Sequence, residues 1–110
     1  MELRAEQGEL TGQIYRPERP IITVGRAQDS DIVLQEQGIS RLHARLQRGA
    51  QGWTITDLGS TNGTFVNDYR ITAPYEIKEG DELILSNCLF HLRTEEAQSP
   101  EQTVTVMKPK

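Results

Sequence analysis

Residues 57–68, Asp57-Leu58-Gly59-Ser60-Thr61-Asn62-Gly63-Thr64-Phe65-Val66-Asn67-Asp68, crowd turn formers and small hydroxyl side chains between two strand-like segments. A loop of this composition presents polar groups to solvent or to a ligand. Upstream lie Gly25-Arg26 and Ser40-Arg41-Leu42-His43. Two chemistries can be read from these residues. One is nucleophilic, with Ser40 attacking and His43, three residues on, as its base. It has little support: the carboxylate nearest in sequence, Glu36, completes no triad pattern, and neither an oxyanion-hole motif nor a strand-to-helix nucleophile turn is found. The other is anion recognition, in which a guanidinium makes planar paired hydrogen bonds to a phosphate and serine or threonine hydroxyls fill the remaining directions. The Asn62-Gly63 pair also reads as a tight turn, because Asn-Gly favours positive φ. The two readings are compatible, since a rigid turn aims a side chain well.

Other reactive groups are sparse. His43, His91 and Cys88 are scattered through the chain without zinc-ligand spacing, so neither a metal nor a cofactor is expected. A lone cysteine cannot close an internal disulfide, and Cys88 reads as a small buried hydrophobe.

The elements that must position these residues are short. Ala44 and Leu46 alternate with Arg45 and Gln47, Trp53 and Ile55 with Thr54 and Thr56, and Leu83 and Leu85 flank Ile84. Each run reads as a strand with one buried face, and no segment carries an apolar repeat at helical spacing. Turn signals recur at Arg16-Pro17-Glu18-Arg19-Pro20, Gln28-Asp29-Ser30-Asp31, Arg48-Gly49-Ala50-Gln51-Gly52, Ala73-Pro74 and Lys78-Glu79-Gly80-Asp81. The pattern predicts about eleven strands, near 2–6, 12–16, 20–24, 32–34, 43–48, 53–57, 64–66, 69–71, 75–77, 82–86 and 89–93. An all-β sandwich or barrel follows, and periodicity alone does not choose between them.

The chain has 110 residues, room for one core, and its 35% hydrophobic content makes that core lean. A net charge of −4 argues against sequence-independent nucleic-acid binding, which needs a cationic surface to displace counterions. The charge is uneven, however: Arg16, Arg19, Arg26, Arg41, Arg45 and Arg48 fall in the first half, and acids crowd residues 76–82 and the tail. There is no apolar run near the length of a membrane span and no leader-like amino terminus, so the expectation is a cytoplasmic protein without membrane contact. Residues 95–110 are too polar to offset their ordering entropy and read as a flexible tail or linker following a domain at 1–94.

Taken in order, Gly25-Arg26, Ser40-Arg41-Leu42-His43 and Gly59-Ser60-Thr61-Asn62-Gly63-Thr64-Phe65-Val66-Asn67 resemble the forkhead-associated (FHA) domain, a family that binds phosphothreonine peptides. Gly-Arg alone carries no signal and Ser-x-x-His recurs by chance, whereas the ordered set is much rarer. The resemblance runs from Ile14 to Arg93. It implies a two-sheet β-sandwich with binding loops at one end. It also implies a recruitment module without catalysis, whose partners carry phosphothreonine made by a Ser/Thr kinase. By resemblance, Arg26 is the main guanidinium contact, Ser40 donates from its hydroxyl, and Thr61 adds a donor from the next loop. Arg41 contributes charge or a main-chain contact, and Asn62 pairs with the peptide main chain. Gly25, His43 and Gly63 support the loops, Gly25 through its backbone freedom and His43 by bracing through hydrogen bonds.

The residue three positions after the phosphothreonine is read by variable loop side chains, for which Arg41, Asp68 and Tyr69 are candidates. The competing reading is an assembly domain that keeps the fold but binds without phosphate; Arg26, Ser40 and Thr61 speak against it. In the tail, Thr103 and Thr105 follow Glu101, and once phosphorylated either could dock on a second copy, giving head-to-tail association. Docking within one chain is harder, because the family's termini emerge opposite its binding loops. From Arg93 to Thr103 the chain spans at most about 33–36 Å.

Overall fold

A computed structural model describes residues 1–7, 10–50 and 52–93. These form eleven strands and no helix: β1 (Glu2–Gln7), β2 (Ile14–Tyr15), β3 (Ile21–Gly25), β4 (Ile32–Val33), β5 (Ala44–Gly49), β6 (Gly52–Asp57), β7 (Thr64–Val66), β8 (Tyr69–Arg70), β9 (Tyr75–Ile77), β10 (Glu82–Leu85) and β11 (Cys88–Arg93). One sheet has six strands in the order β2-β1-β11-β10-β7-β8, the other five in the order β4-β3-β5-β6-β9. The sandwich implied by resemblance is therefore the observed fold, and a closed barrel is not. The parts of the chain outside the described residues include the predicted tail with Thr103 and Thr105.

Alternation explains the packing. Ala44 and Leu46 on β5, with Trp53 and Ile55 on β6, turn inward from the five-stranded sheet. Leu3, Leu83, Leu85 and Phe90 face them from the six-stranded sheet, and residues of both sheets line one small void between the layers. Each Leu, Ile or Phe among them stabilises the fold by roughly 1.5–3 kcal/mol relative to exposure. Cys88 is wholly buried in the same cluster, as expected of a small apolar residue.

Four strands are shorter than the sequence predicts; β4 stops at Val33 and β10 at Leu85, each one residue early. The segment 12–16 pairs only at Ile14 and Tyr15, because residues before them form a turn: Gly12 takes φ +96° and donates its N–H to the Ala5 carbonyl. The segment 69–71 stops at Arg70 because Ile71 turns inward, buried, and bonds the Thr64 carbonyl. Between β7 and β8, Asn67 and Asp68 both have positive φ, 51° and 71°, the geometry of a two-residue type I′ hairpin turn.

Register decides where the loops go. Val24 pairs with Ala44 and Ala44 with Asp57, so the end of β3, the start of β5 and the end of β6 lie side by side. In the other sheet Leu85 pairs with both Thr64 and Cys88, which brings the start of β7 and the Ser86-Asn87 turn to the same end. The loops 26–31, 34–43 and 58–63 thus emerge together. Arg93 pairs with Glu2 at the opposite end of the six-residue β11, about 20 Å away at the usual strand rise.

Candidate functional site

The loop 58–63 is organised by the last residue of β6. The Asp57 carboxylate accepts from the backbone N–H groups of Gly59 and Ser60, both at 3.1 Å, from the Ser60 hydroxyl at 2.5 Å and from the Thr64 hydroxyl at 2.7 Å. Ser60 Oγ in turn accepts from Gly63 N–H at 2.9 Å, closing the turn. Burial alone would push the Asp57 carboxyl up. The hydrogen bonds from Ser60, Thr64 and Gly59 outweigh that and hold it below its ordinary value. Gly63 has φ +88°, the left-handed region that the Asn-Gly pair predicts, and its Cα faces the Arg70 guanidinium.

His43 ties this loop to the preceding one. The ring is fully buried; Nδ1 accepts from the Ser40 backbone N–H at 3.1 Å, and Nε2 lies 2.9 Å from the Gly63 carbonyl oxygen. An accepting Nδ1 assigns the proton to Nε2, which then donates to Gly63. The ring thereby links the main chains of the two loops. It also removes the hydrolase geometry, because His43 meets the main chain of Ser40 and not its hydroxyl.

The Ser40 hydroxyl is engaged otherwise. Its oxygen accepts from Thr61 N–H at 3.0 Å, which leaves the hydroxyl proton free to donate. Arg26 lies across from it. The Arg26 N–H donates to the Ser40 carbonyl and its Nε to the Ile39 carbonyl, both at 3.0 Å, so the guanidinium is aimed while its terminal nitrogens stay available. Asn62 Nδ2 donates to the Gly38 carbonyl at 2.8 Å, keeping its second N–H and its carbonyl oxygen for another partner.

Arg26, Ser40, Thr61 and Asn62 line one open cleft of about 370 Å³, together with Gln37, Gly38 and Ile39. Nothing acidic lines it. The wider cationic surface that the sequence suggests is reduced by pairing, since Arg16 meets Glu2 and Arg19 meets Asp31. Arg41 is exposed beside Ser40 but is not among the cleft residues. Its carbonyl explains Gly25: a Cβ at that glycine would collide with the Arg41 oxygen, and Gly25 is not in a positive-φ conformation. Space, and not backbone freedom, is what this glycine provides. Asp68 and Tyr69 lie in and after the β7–β8 turn and are likewise outside the cleft lining.

Gln37, Gly38 and Ile39 were not marked by the sequence reading, although all three immediately precede Ser40. The role of Asp57 was also missed; a strand-final Asp followed after one residue by Gly-Ser is the signature that announces an Asx-type turn.

A two-sheet all-β domain with a polar, acid-free cleft between loops at one end defines a recognition module built on a sandwich. Residues 22–86 match the family model of the FHA domain, and the chain belongs to that family. It is 36% identical over 88 residues to the FHA domain-containing protein FhaB of Mycobacterium tuberculosis, an alignment covering 79% of this chain and 56% of FhaB. The chain thus spans about half the length of the curated relatives it matches. Among solved structures, one described for phosphothreonine-dependent FHA domain interactions superposes with a TM-score of 0.76 at 29% identity, covering 84% of this chain and 94% of its own. Mycobacterium tuberculosis EmbR in complex with a low-affinity phosphopeptide superposes with a TM-score of 0.76 at 27% identity, covering 84% of this chain and 24% of EmbR. Among the described residues, no helix is long and apolar enough to cross a membrane.

Proposed function

We propose that this chain is a phosphopeptide-binding module that recruits partner proteins through phosphothreonine and performs no chemistry of its own. The observation that carries this reading is the convergence on one cleft of an aimed guanidinium, a hydroxyl with its proton to donate and a half-used carboxamide, at Arg26, Ser40 and Asn62. The phosphate sits between Arg26 and Ser40, with the Thr61 hydroxyl completing its donors and Arg41 adding charge at the rim. Asn62 takes the peptide main chain, pairing a carbonyl with its remaining N–H and an N–H with its oxygen. Gly25, His43 and Gly63 hold the loops in place without touching the ligand. Residues 1–94 form the binding domain in this reading, and residues 95–110 follow it as a tail or linker.

Each charge-assisted hydrogen bond contributes roughly 1.5–3 kcal/mol, so three or four account for much of a micromolar affinity, about −8 kcal/mol, after association costs. Loss of one good contact is therefore expected to weaken binding at least tenfold. The test is fluorescence-polarisation binding to a degenerate phosphothreonine peptide library, with unphosphorylated and phosphoserine controls, for the wild type and Arg26→Ala. The expected result is phosphothreonine-dependent binding that Arg26→Ala reduces tenfold or more. Folded protein that ignores phosphate would instead assign the domain to phosphate-independent assembly.

A further inference from the structure

The cleft draws on both sheets. Gly38, in the loop before Ser40, has φ +96°, and the Cβ it lacks would collide with the Ser86 hydroxyl and come within 3.3 Å of Asn62 Nδ2. Ser86 belongs to the β10–β11 turn of the six-stranded sheet and itself holds φ +56°, which is uncommon for a residue with a side chain. The Gly38 carbonyl receives the Asn62 carboxamide at 2.8 Å. Gly38 thus meets both a side chain of the β10–β11 turn and Asn62, a ligand-facing side chain of the loop that joins β6 to β7.

We infer that Ser86 is a positioning residue for peptide recognition: by backing Gly38, it fixes the carbonyl that orients Asn62, and so sets the register of the peptide main chain. This rests on the phosphopeptide reading of the cleft, and it divides that cleft into two parts. Arg26, Ser40 and Thr61 are held by the Ile39 carbonyl, His43 and each other, with no member in the β10–β11 turn. Asn62 alone depends on the turn, through Gly38. The physical reason is steric as well as polar. A Gly38 without Ser86 behind it regains the wide φ range of glycine, and a carbonyl that swings with it no longer fixes the carboxamide. The strain at Ser86 fits the same picture, since backbone held in a sparsely populated region tends to serve a site that depends on it.

Two measurements decide this. The first needs no ligand: the side-chain ¹⁵N–¹H pair of Asn62 is followed by NMR in the wild type, Ser86→Gly and Gly38→Ala. Glycine is well suited to φ +56°, so Ser86→Gly preserves the turn while emptying the contact. The expected result is a shifted or exchange-broadened Asn62 pair in both variants, with the backbone signals of Arg26 and Ser40 unchanged. The second is affinity, for the degenerate phosphothreonine library and for free O-phospho-L-threonine, which has almost no main chain to read. Gly38→Ala is expected to weaken library binding about tenfold and free phosphothreonine by less than twofold. In the Ser86→Gly background the same substitution is expected to cost about half as much on a logarithmic scale, the remainder being the φ strain of alanine. Additive losses, with an Asn62 signal that Ser86→Gly leaves in place, would overturn the inference. A wild type that binds no phosphothreonine peptide would overturn the reading of the cleft and the peptide role of Ser86 with it, while the Asn62 signal still shows whether the contact orients the carboxamide.

Discussion

The two histidines mark two regions of this molecule that use the same side chain in opposite ways. His43, at the loop end, is wholly buried and spends both ring nitrogens on the main chain, at Ser40 and Gly63. His91, on the outer face of the six-stranded sheet, is 43% exposed and lies between two carboxylates, Glu82 at 2.9 Å and Glu6 at 3.3 Å. The first joins loops that are far apart in sequence and has no charge partner. The second couples neighbouring strands by charge and touches no loop of the cleft. A binding site that must keep its shape is better built on the first arrangement, because buried hydrogen bonds to the main chain are shielded from water and salt.

The largest effect expected from breaking this contrast is His43→Ala. It leaves a part-buried donor at Ser40 and a buried acceptor at Gly63 unpaired and opens a cavity, a combined loss of roughly 3–5 kcal/mol. Chemical denaturation should show a correspondingly lower midpoint at unchanged slope, and peptide affinity should fall with it, because Ser40 and the 58–63 loop lose their common anchor. Stability close to wild type would mean that the loops are held by something other than this ring.

Asp57→Asn comes next and sharpens the comparison, because here a charge does sit at the loop end. The carboxylate serves four donors, of which the Thr64 hydroxyl is fully buried. Replacing it with a carboxamide is expected to destabilise by roughly 2 kcal/mol, the range for hydrogen bonds to a charged acceptor. The pH dependence follows from the direction of the shift. The folded carboxyl is held below the ordinary 3.8, so its contribution is fully present above that value and is lost as pH falls through the lower, folded one. Denaturation of wild type and Asp57→Asn should therefore differ by a constant amount near neutrality and converge only in strong acid. A difference that changed between pH 5 and 8 would point to another group.

Much of this was legible in the sequence, and the exceptions share a cause. Alternation at Ala44-Leu46 and Trp53-Ile55 announced the sheets because a half-buried strand imposes a period of two on its own residues. The Ser60-Thr61-Asn62-Gly63 turn was visible because its chemistry is local: a hydroxyl, a carboxamide and a glycine within a few residues. Gly25 was visible as a glycine but not as a packing requirement, since the atom it accommodates, the Arg41 oxygen, is supplied sixteen positions later. The contact of Gly38 with Ser86 was further from reach, because it joins two sheets whose approach no single segment encodes. Likewise, the Ile39 carbonyl that aims Arg26 is main chain, and any residue there presents the same atom.

His91→Gln should be the smallest effect, and it tests the other side of the comparison. The hydrogen bond that the His91 ring donates to the Glu82 carboxylate is the main influence raising the His91 pKa; modest desolvation opposes it, and Glu6 adds to it. A folded pKa above the ordinary 6.5 means that the stabilisation is complete below that value and is lost as pH rises through the folded one. Because the ring and both carboxylates are well exposed, solvent screening keeps the contribution to roughly 0.2–1 kcal/mol, and added salt reduces it further. Thermal denaturation should thus separate wild type from His91→Gln below pH 6.5 and bring them together as pH rises past the raised folded value, leaving peptide affinity equal on both sides. The order of effects then carries the lesson of the two regions: the exposed histidine between two carboxylates supports the sheet slightly, and the buried one ties together the loops of the cleft. A peptide affinity that followed the protonation of His91 would break the separation and require a path from the outer face of β11 to the loops, of which the hydrogen bonds around His43, Asp57 and Asn62 contain no member.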